Sequence, residues 1–316
     1  MSRRLGVIGY PLKHSISAVF QQAALDHLRL DIRYEAWETT PEHLAERVGS
    51  LRHRGMLGAS VTVPYKEAIM AYLDAIDPVA QTIGAVNLIV HPGEKVVGYN
   101  TDAGGFLRGL VTEGDFDPRG KAVVVLGAGG AARAIGFILI WAGISSLTIV
   151  NRTVERAQAL ARDLRRGPSL PEWTEGEPGI SWAVYGEGVA RLMRATQVRQ
   201  KAVVEVLSPT DAALGQVVRA SDLVVNCTSV GMKHSATEGK SPLVGEMLSA
   251  KAVAYDLVYN PLETPFLQQA KETGARVVTG LPMLIYQGAA SFQMWTGQEA
   301  PLEVMMAAGR RALGVG

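Results

Sequence analysis

Short apolar runs and stretches of helical spacing alternate along most of this chain. RLGVIG at 4–9 is apolar, ends in a glycine and predicts a buried strand. SAVFQQAALDHL at 17–28 follows, with Val19, Phe20, Ala23, Ala24 and His27 recurring at the spacing of one helix face. IRYEAWET at 32–39 alternates like a strand, and PEHLAERVGSLR at 41–52 reads as a helix with Pro41 in its first turn. GASVTVP at 58–64 is strand again, and KEAIMAYLDAID at 66–77 reads as helix. Strands and helices in this rhythm imply a parallel α/β sheet. AVNLIV at 85–90 and KVVGYN at 95–100, joined by HPGE, predict a hairpin added to that sheet.

A second α/β unit opens at KAVVVLGAGGAARAIGFILIWAG, residues 121–143, as strand, glycine turn and helix. SLTIVNRT, SDLVVNCTSVGM and KAVAYDLVYNP supply further strands, each ending in a polar turn. From MLIYQGAASFQMWTG at 283 onward the pattern is helical and carries no new strand. That tail is expected to pack back on the first domain. The expected organisation is therefore a discontinuous first domain, 1–105 completed by 282–316, with a Rossmann-type second domain inserted at 106–281. RRGPSLPEWTEGEPG at 165–179 is rich in proline and glycine and reads as a surface loop, part of an insertion near 167–200. Within that insertion VARLMRATQVR suggests one extra helix, and KAVVEVLS, which follows at 201–208, suggests a strand. An exposed insertion fits better than a functional lid, because loop length costs stability only logarithmically.

Composition narrows the classes. With 47% hydrophobic and 19% charged residues over 316 positions, the chain is an ordinary globular one with room for two cores. A net charge of +1 leaves no broad basic footprint for nucleic acid. Cys227 is the single cysteine, so no intrachain disulfide forms, which fits a reducing compartment. The apolar run before Tyr10-Pro11 is too short for a signal segment, and AIGFILIWAGI at 134–144 is too short to span a bilayer. A soluble cytoplasmic protein without a membrane span is the expectation. The six histidines form no H-x-x-x-H or H-E-x-x-H pattern, so no metal site is expected.

Two stretches carry chemistry. In GYPLKHSIS at 9–17, Ser15 and Ser17 stand two apart after Lys13 and His14. A serine there either caps the next helix or, with its neighbour and Lys13, faces an anion. In VVVLGAGGAAR, Gly127 and Gly129 follow a strand and precede a helix, with Ala132 in the third glycine's place. The run Gly127, Ala128, Gly129, Gly130, Ala131 offers backbone N–H groups and the positive end of a helix to phosphates. The next strand ends not in a carboxylate for a ribose hydroxyl but in Asn151, Arg152 and Thr153, with Arg156 behind. Guanidinium groups there suit a 2′-phosphate, so the pattern points to NADP rather than NAD.

GYPLKHSIS, SVTVPYK, IGAVN, GYNTDAGG, GAGGAAR, NRT, NCTSVGM, DLVYNPLETPFL and GLPMLIYQGAA occur in one order from about residue 5 to 297. In that order the chain resembles the shikimate dehydrogenases. The resemblance implies NADPH-dependent reduction of 3-dehydroshikimate to shikimate, on the route to aromatic amino acids. It implies that Ser15 and Ser17 bind the substrate carboxylate, and that Thr62, Lys66, Asn87, Asp102 and Gln287 meet the ring hydroxyls and ketone. It makes Lys66 and Asp102 the catalytic pair. Thr228, Met232 and Gly280 would lie by the cofactor, and Tyr259 would close over the substrate. Three departures stand out. Ser60 replaces a common asparagine before VTVP, SAVFQQ replaces the usual residues after the serine pair, and Pro282 stands where glycine is common. They bear on affinity for the ring hydroxyls and leave the catalytic pair intact.

Reduction of a ketone needs a hydride on carbon, a proton on oxygen and relief of developing negative charge. An ammonium at Lys66 serves both last needs, and Asp102 would hold it in place. By themselves, Lys66 would pass for a solvated first-turn residue and Asp102 for a helix cap. Two rivals remain: a quinate/shikimate dehydrogenase able to use NAD, and a non-catalytic NADP-binding sensor on the same fold. The turn NRTVER, without an acid, speaks against the first, and retention of both Lys66 and Asp102 against the second.

Overall fold

The computed structural model describes residues 3–13, 15–166, 182–196 and 201–315. The loop read at 167–179 and His14 lie outside the described residues. The chain divides into two compact units. One takes the chain through Gly105 and again from Ile285; the other takes it from Phe106 to Leu284 in all but a few of its described residues.

The first unit contains β1 (Arg3–Gly9), β2 (Ile32–Glu38), β3 (Met56–Val61), β4 (Ala75–Ile76), β5 (Leu88–Val90) and β6 (Val97–Tyr99). They form one sheet in the order β2-β1-β3-β5-β6-β4. The β2, β1 and β3 strands run parallel, as the βαβ rhythm requires. The β5–β6 hairpin adds antiparallel to β3, with Ser60 opposite Leu88 and Leu88 opposite Tyr99. Three helices of this unit are α1 (Ser17–His27), α2 (Leu44–Ser50) and α3 (Pro78–Ile83). Trp37, Leu44, Val48, Met56 and Ile69 share one core on the α2 side.

Two expectations need correction here. The buried face of α1 is Phe20, Gln21, Ala24 and Leu25, while Val19 is 47% exposed and His27 is exposed. The face turns because Gln21, a polar residue, is drawn inside: its Nε2 donates to the Gly288 carbonyl at 2.9 Å. Hydropathy does not anticipate a buried glutamine. The stretch 66–77 is not a helix either. A 3₁₀ turn at Ala68–Tyr72 ends with Leu73 extended, and β4 follows. Asp74 causes the break. Its carboxylate accepts from Val96 N at 2.8 Å and from Arg52 Nη2 at 2.7 Å, and its own N–H donates to Val96 O at 3.0 Å. These bonds pull the chain against the strand region instead of around a helix. Asp77 then caps α3 through Val79 N and Ala80 N, ahead of Pro78 at the first position.

The second unit is a six-stranded parallel sheet. Its strands are β7 (Ala122–Leu126), β8 (Ser146–Val150), β9 (Val203–Leu207), β10 (Leu223–Asn226), β11 (Val253–Asp256) and β12 (Arg276–Val278), in the order β12-β11-β10-β7-β8-β9. All neighbours pair in parallel. Of these, β12 has no counterpart in the hydropathy reading, since three residues are too few to show a period. Helices α5 (Gly130–Trp141), α6 (Val154–Arg165), α7 (Glu187–Ala195), α8 (Leu214–Ala220) and α9 (Pro265–Glu272) connect the strands. The helix expected in VARLMRATQVR is α7, which starts two residues earlier; residues 197–199 lie outside the described residues. Val124, Leu126, Val150, Val224, Ala254 and Phe266 form a core of this unit.

The chain changes unit within α4 (Asp102–Thr112) and returns within α10 (Gly280–Thr296), and α11 (Leu302–Ala312) packs on α1 in the first unit. Gly105 explains part of the DAGG run: a Cβ there would lie 2.7 Å from the Gln287 backbone N, so only glycine allows that approach. Among the described residues no helix is long and apolar enough to cross a membrane.

Candidate active site

Lys66 and Asp102 meet. The Lys66 ammonium lies 2.5 Å from Asp102 Oδ2, with the side chains 16% and 5% exposed. Lys66 is placed by the turn after β3. There Thr62 N donates to Ile8 O, Val86 N donates to the Lys66 carbonyl at 2.7 Å, and the buried Tyr65 hydroxyl donates to Thr39 O at 2.6 Å. Asp102 opens α4 but does not cap it. Asn100 accepts from Ala103 N at 3.2 Å, which frees the Asp102 carboxylate to face Lys66 and Asn87. The solvated-lysine and helix-cap alternatives are therefore both displaced by geometry.

Asn87 ties this pair to α10. Its Nδ2 lies 2.9 Å from Asp102 Oδ1, 2.8 Å from Thr101 Oγ1 and 3.1 Å from Gln287 Oε1. Its Oδ1 accepts from Thr101 N at 2.7 Å, which fixes the amide's orientation. Thr101 Oγ1 reaches Gln287 Oε1 and Ser291 Oγ, both at 3.3 Å, and Ser291 donates back to the Gln287 carbonyl. Asn87, Thr101, Asp102, Gln287 and Ser291 are all buried. Sequence reasoning missed Thr101 and Ser291. The signal for Thr101 was its place beside Asp102 in GYNTDAGG; for Ser291, the four-residue step from Gln287 on one helix face.

The serine pair is barely used as a cap. The first residue of α1 is Ser17, and its N-cap, Ile16, makes no side-chain cap bond. Ser15 Oγ accepts from Ser17 N only at 3.4 Å. The Ser17 and Thr62 hydroxyls have no partner among the described residues, and all three side chains are half-buried. Ser60 has one: the buried Tyr34 hydroxyl donates to it at 2.8 Å.

The second unit gathers the remaining candidates at the C-terminal edge of its sheet. Gly127 turns the chain after β7 with φ +113°, a conformation that favours glycine. Its N–H donates to Val150 O at 2.8 Å, so the loop lies beside the end of β8 and Asn151. Ala132 is buried where α5 meets the sheet. A Cβ on Gly129 would meet only open space, and α5 begins at Gly130 with no side-chain cap. That leaves free N–H groups beside room for a phosphate, which fits a dinucleotide. Asn151 Nδ2 donates to Thr153 O at 2.7 Å, while Arg152 and Arg156 are exposed and have no ion-pair partner among the described residues. Unpaired guanidinium groups fit a further phosphate. Ala128 and Ala131 are half-buried in the same loop, as are Thr228 and Met232 in the turn after β10. Tyr259, expected with the substrate residues, lies in this second unit after β11, and burial pushes its phenol up to about 12. Gly280 opens α10.

Three family models match: the shikimate dehydrogenase substrate binding domain at residues 7–89, shikimate / quinate 5-dehydrogenase at 112–171, and the shikimate 5′-dehydrogenase C-terminal domain at 280–308. The chain is 44% identical to the shikimate dehydrogenase (NADP(+)) of Moorella thermoacetica over 98% of its own length and 93% of that protein. Among solved structures it is similar to shikimate 5-dehydrogenase from Thermus thermophilus in complex with NADP(H) and shikimate. There the identity is 37% and the TM-score 0.78, over 98% of this chain and all of that one (100%). It is also similar to a quinate dehydrogenase from Corynebacterium glutamicum in complex with NAD, at 26% identity and TM-score 0.78, over 97% and 98% of the two chains.

Proposed function

The chain belongs to the shikimate dehydrogenase family, and from that premise we propose that it reversibly reduces 3-dehydroshikimate to shikimate with NADPH. The observation that carries this reading is the part-buried Lys66–Asp102 pair joined through Asn87 to Gln287.

Bound NADPH supplies the hydride. Lys66 supplies the proton to the ketone oxygen, and its positive charge offsets the alkoxide charge that develops there. Asp102 fixes the ammonium, since one of its three N–H bonds is committed to Oδ2 and two remain for substrate. In the reverse direction the same nitrogen, once neutral, takes the hydroxyl proton. Asn87, Gln287 and Thr62 bind the ring oxygens. Ser15 and Ser17 bind the carboxylate, a role supported by hydroxyls that capping does not consume. Tyr259 is a further substrate residue.

Gly127, Ala128, Gly129, Gly130 and Ala131 hold the pyrophosphate. Asn151, Arg152, Thr153 and Arg156 take the 2′-phosphate, and Thr228, Met232 and Gly280 flank the nicotinamide end. We place the enzyme in the cytoplasm as a monomer or homodimer, in keeping with its single cysteine.

Nicotinamide absorbance followed with shikimate or quinate, each with NADP or NAD, tests the whole reading. Turnover of shikimate with NADP ahead of the other three pairs is expected. Equal use of NAD and quinate would promote the quinate/shikimate alternative, and tight NADP binding without turnover would promote a sensor.

A further inference from the structure

Asp256, at the end of β11, is fully buried, and among the described residues no cation pairs with it. A buried carboxylate without a counter-ion is costly unless donors converge on it. Three do. Asn226 Nδ2 and Val258 N each donate to Oδ1 at 2.9 Å, and the Thr264 hydroxyl donates to Oδ2 at 2.6 Å. Burial still pushes its pKa up to about 6.

The bond to Asn226 leads onward. Asn226 Oδ1 accepts from Thr228 N at 3.0 Å and from the Thr228 hydroxyl at 2.6 Å, and Thr228 Oγ1 accepts from Val230 N at 3.1 Å. The turn so held packs on the glycine loop. Cys227 N donates to Leu126 O at 2.8 Å, and a Cβ on Gly127 would lie 3.2 Å from the Cys227 carbonyl and 3.3 Å from Thr228 Cγ2. On its other side, the bond from Val258 N fixes the turn that leads to Tyr259. One carboxylate thus sits behind two neighbouring loops at the strand ends, the place where parallel α/β sheets bind ligands.

We propose that Asp256 is a positioning residue for the cofactor, holding the Cys227–Val230 turn against the Gly127 loop through Asn226. The proposal rests on the reading that this unit binds NADP. Loss of the carboxylate frees the Asn226 amide, releases Thr228 and lets the turn drift against the phosphate loop. An asparagine at 256 keeps an acceptor for Asn226 and Val258 and presents its amide to Thr264.

Calorimetric titration of the full-length protein with NADP⁺, and separately with shikimate, tests this, with melting curves of each unliganded variant alongside. Asp256→Ala should raise the NADP⁺ dissociation constant about tenfold or more, the loss expected when a buried acceptor is removed from a bonded set, while shikimate affinity falls by a clearly smaller factor. Asp256→Asn should stay within about threefold of the unmodified protein for both. If Asp256→Ala does not fold, Asn226→Ser, which cuts the link to Thr228 and leaves Asp256 bonded to Val258 and Thr264, carries the same expectation. Unchanged NADP⁺ affinity in the folded variant, an equal loss of shikimate affinity, or failure of Asp256→Asn to restore binding overturns the positioning role. An unmodified protein that binds shikimate but no NADP⁺ overturns the cofactor reading instead.

Discussion

In the first unit the Lys66 ammonium already rests on the Asp102 carboxylate, inside a closed set of buried amides and hydroxyls. In the second, Arg152 and Arg156 stand in solvent, and the phosphate loop offers backbone N–H groups around open space. On the proposed reading the contrast separates two tasks. Proton transfer needs a group fixed to within a fraction of an ångström, and burial with committed partners provides that. Recognition of a doubly charged phosphate tolerates looser geometry but needs charge left unpaired until the ligand arrives. The first arrangement is therefore resistant to salt and sensitive to single-atom changes, and the second is the reverse.

The largest effect should come from the closed side. Lys66→Ala should lower turnover by about 10²- to 10⁴-fold, the usual contribution of a positioned acid–base group. The Michaelis constant for shikimate should change far less, because its carboxylate contacts remain. Steady-state kinetics on the folded variant decides it, and near-normal turnover removes Lys66 from the mechanism.

Ser15→Ala combined with Ser17→Ala tests the same unit at its rim. Each charge-assisted bond contributes on the order of 1.5–3 kcal/mol, so the Michaelis constant for shikimate should rise by one to a few orders of magnitude with little change in melting temperature. A fall in melting temperature with an unchanged Michaelis constant would return the serines to capping.

On the open side, NADP should be preferred over NAD by about tenfold to a hundredfold in kcat/KM. Arg152→Ala should erase most of that by harming NADP and sparing NAD. Raising salt should shrink the preference, since both guanidinium groups are exposed. A preference that salt leaves intact would mean that this corner is as closed as the Lys66 site.

A subtler difference is in stability. Burial raises the Asp256 pKa from 3.8 to about 6, and the Asp256 charge in turn adds to the burial that pushes up the Cys227 thiol. Between those values the folded chain keeps a proton that the unfolded chain releases, so stability falls as pH rises through the window and levels above it. One proton sets a limit of about 1.4 kcal/mol per pH unit. Denaturant melts at pH 5 and pH 6 should show a slope of that sign, and Asp256→Asn should remove it.

The βα rhythm, the glycine loop and the hairpin were readable because period and turn chemistry are local properties. The fate of 66–77 was not, since Asp74 is captured by Val96, far along the chain, against its own helical spacing. Nor was the buried face of α1, which turns on a glutamine bound to Gly288. Within the site, Lys66, Asp102, Asn87 and Gln287 were identified through motif order, a likeness that names residues without saying what they touch.

Residue types and their order determined the α/β class, the dinucleotide loop, the acid-free NRT turn and the family. Tertiary structure alone decided that Asn100 and not Asp102 serves the start of α4, that the Ser15–Ser17 hydroxyls are left over from capping, and that Asn87 bonds both Asp102 and Gln287, the latter 200 positions along the chain from it. It also decided that Asp256, unremarked in the sequence, braces two loops at once. The reason is physical. Periodicity and turn propensity are set by near neighbours, whereas the partner of a buried polar group is whatever the fold brings within about 3 Å of it.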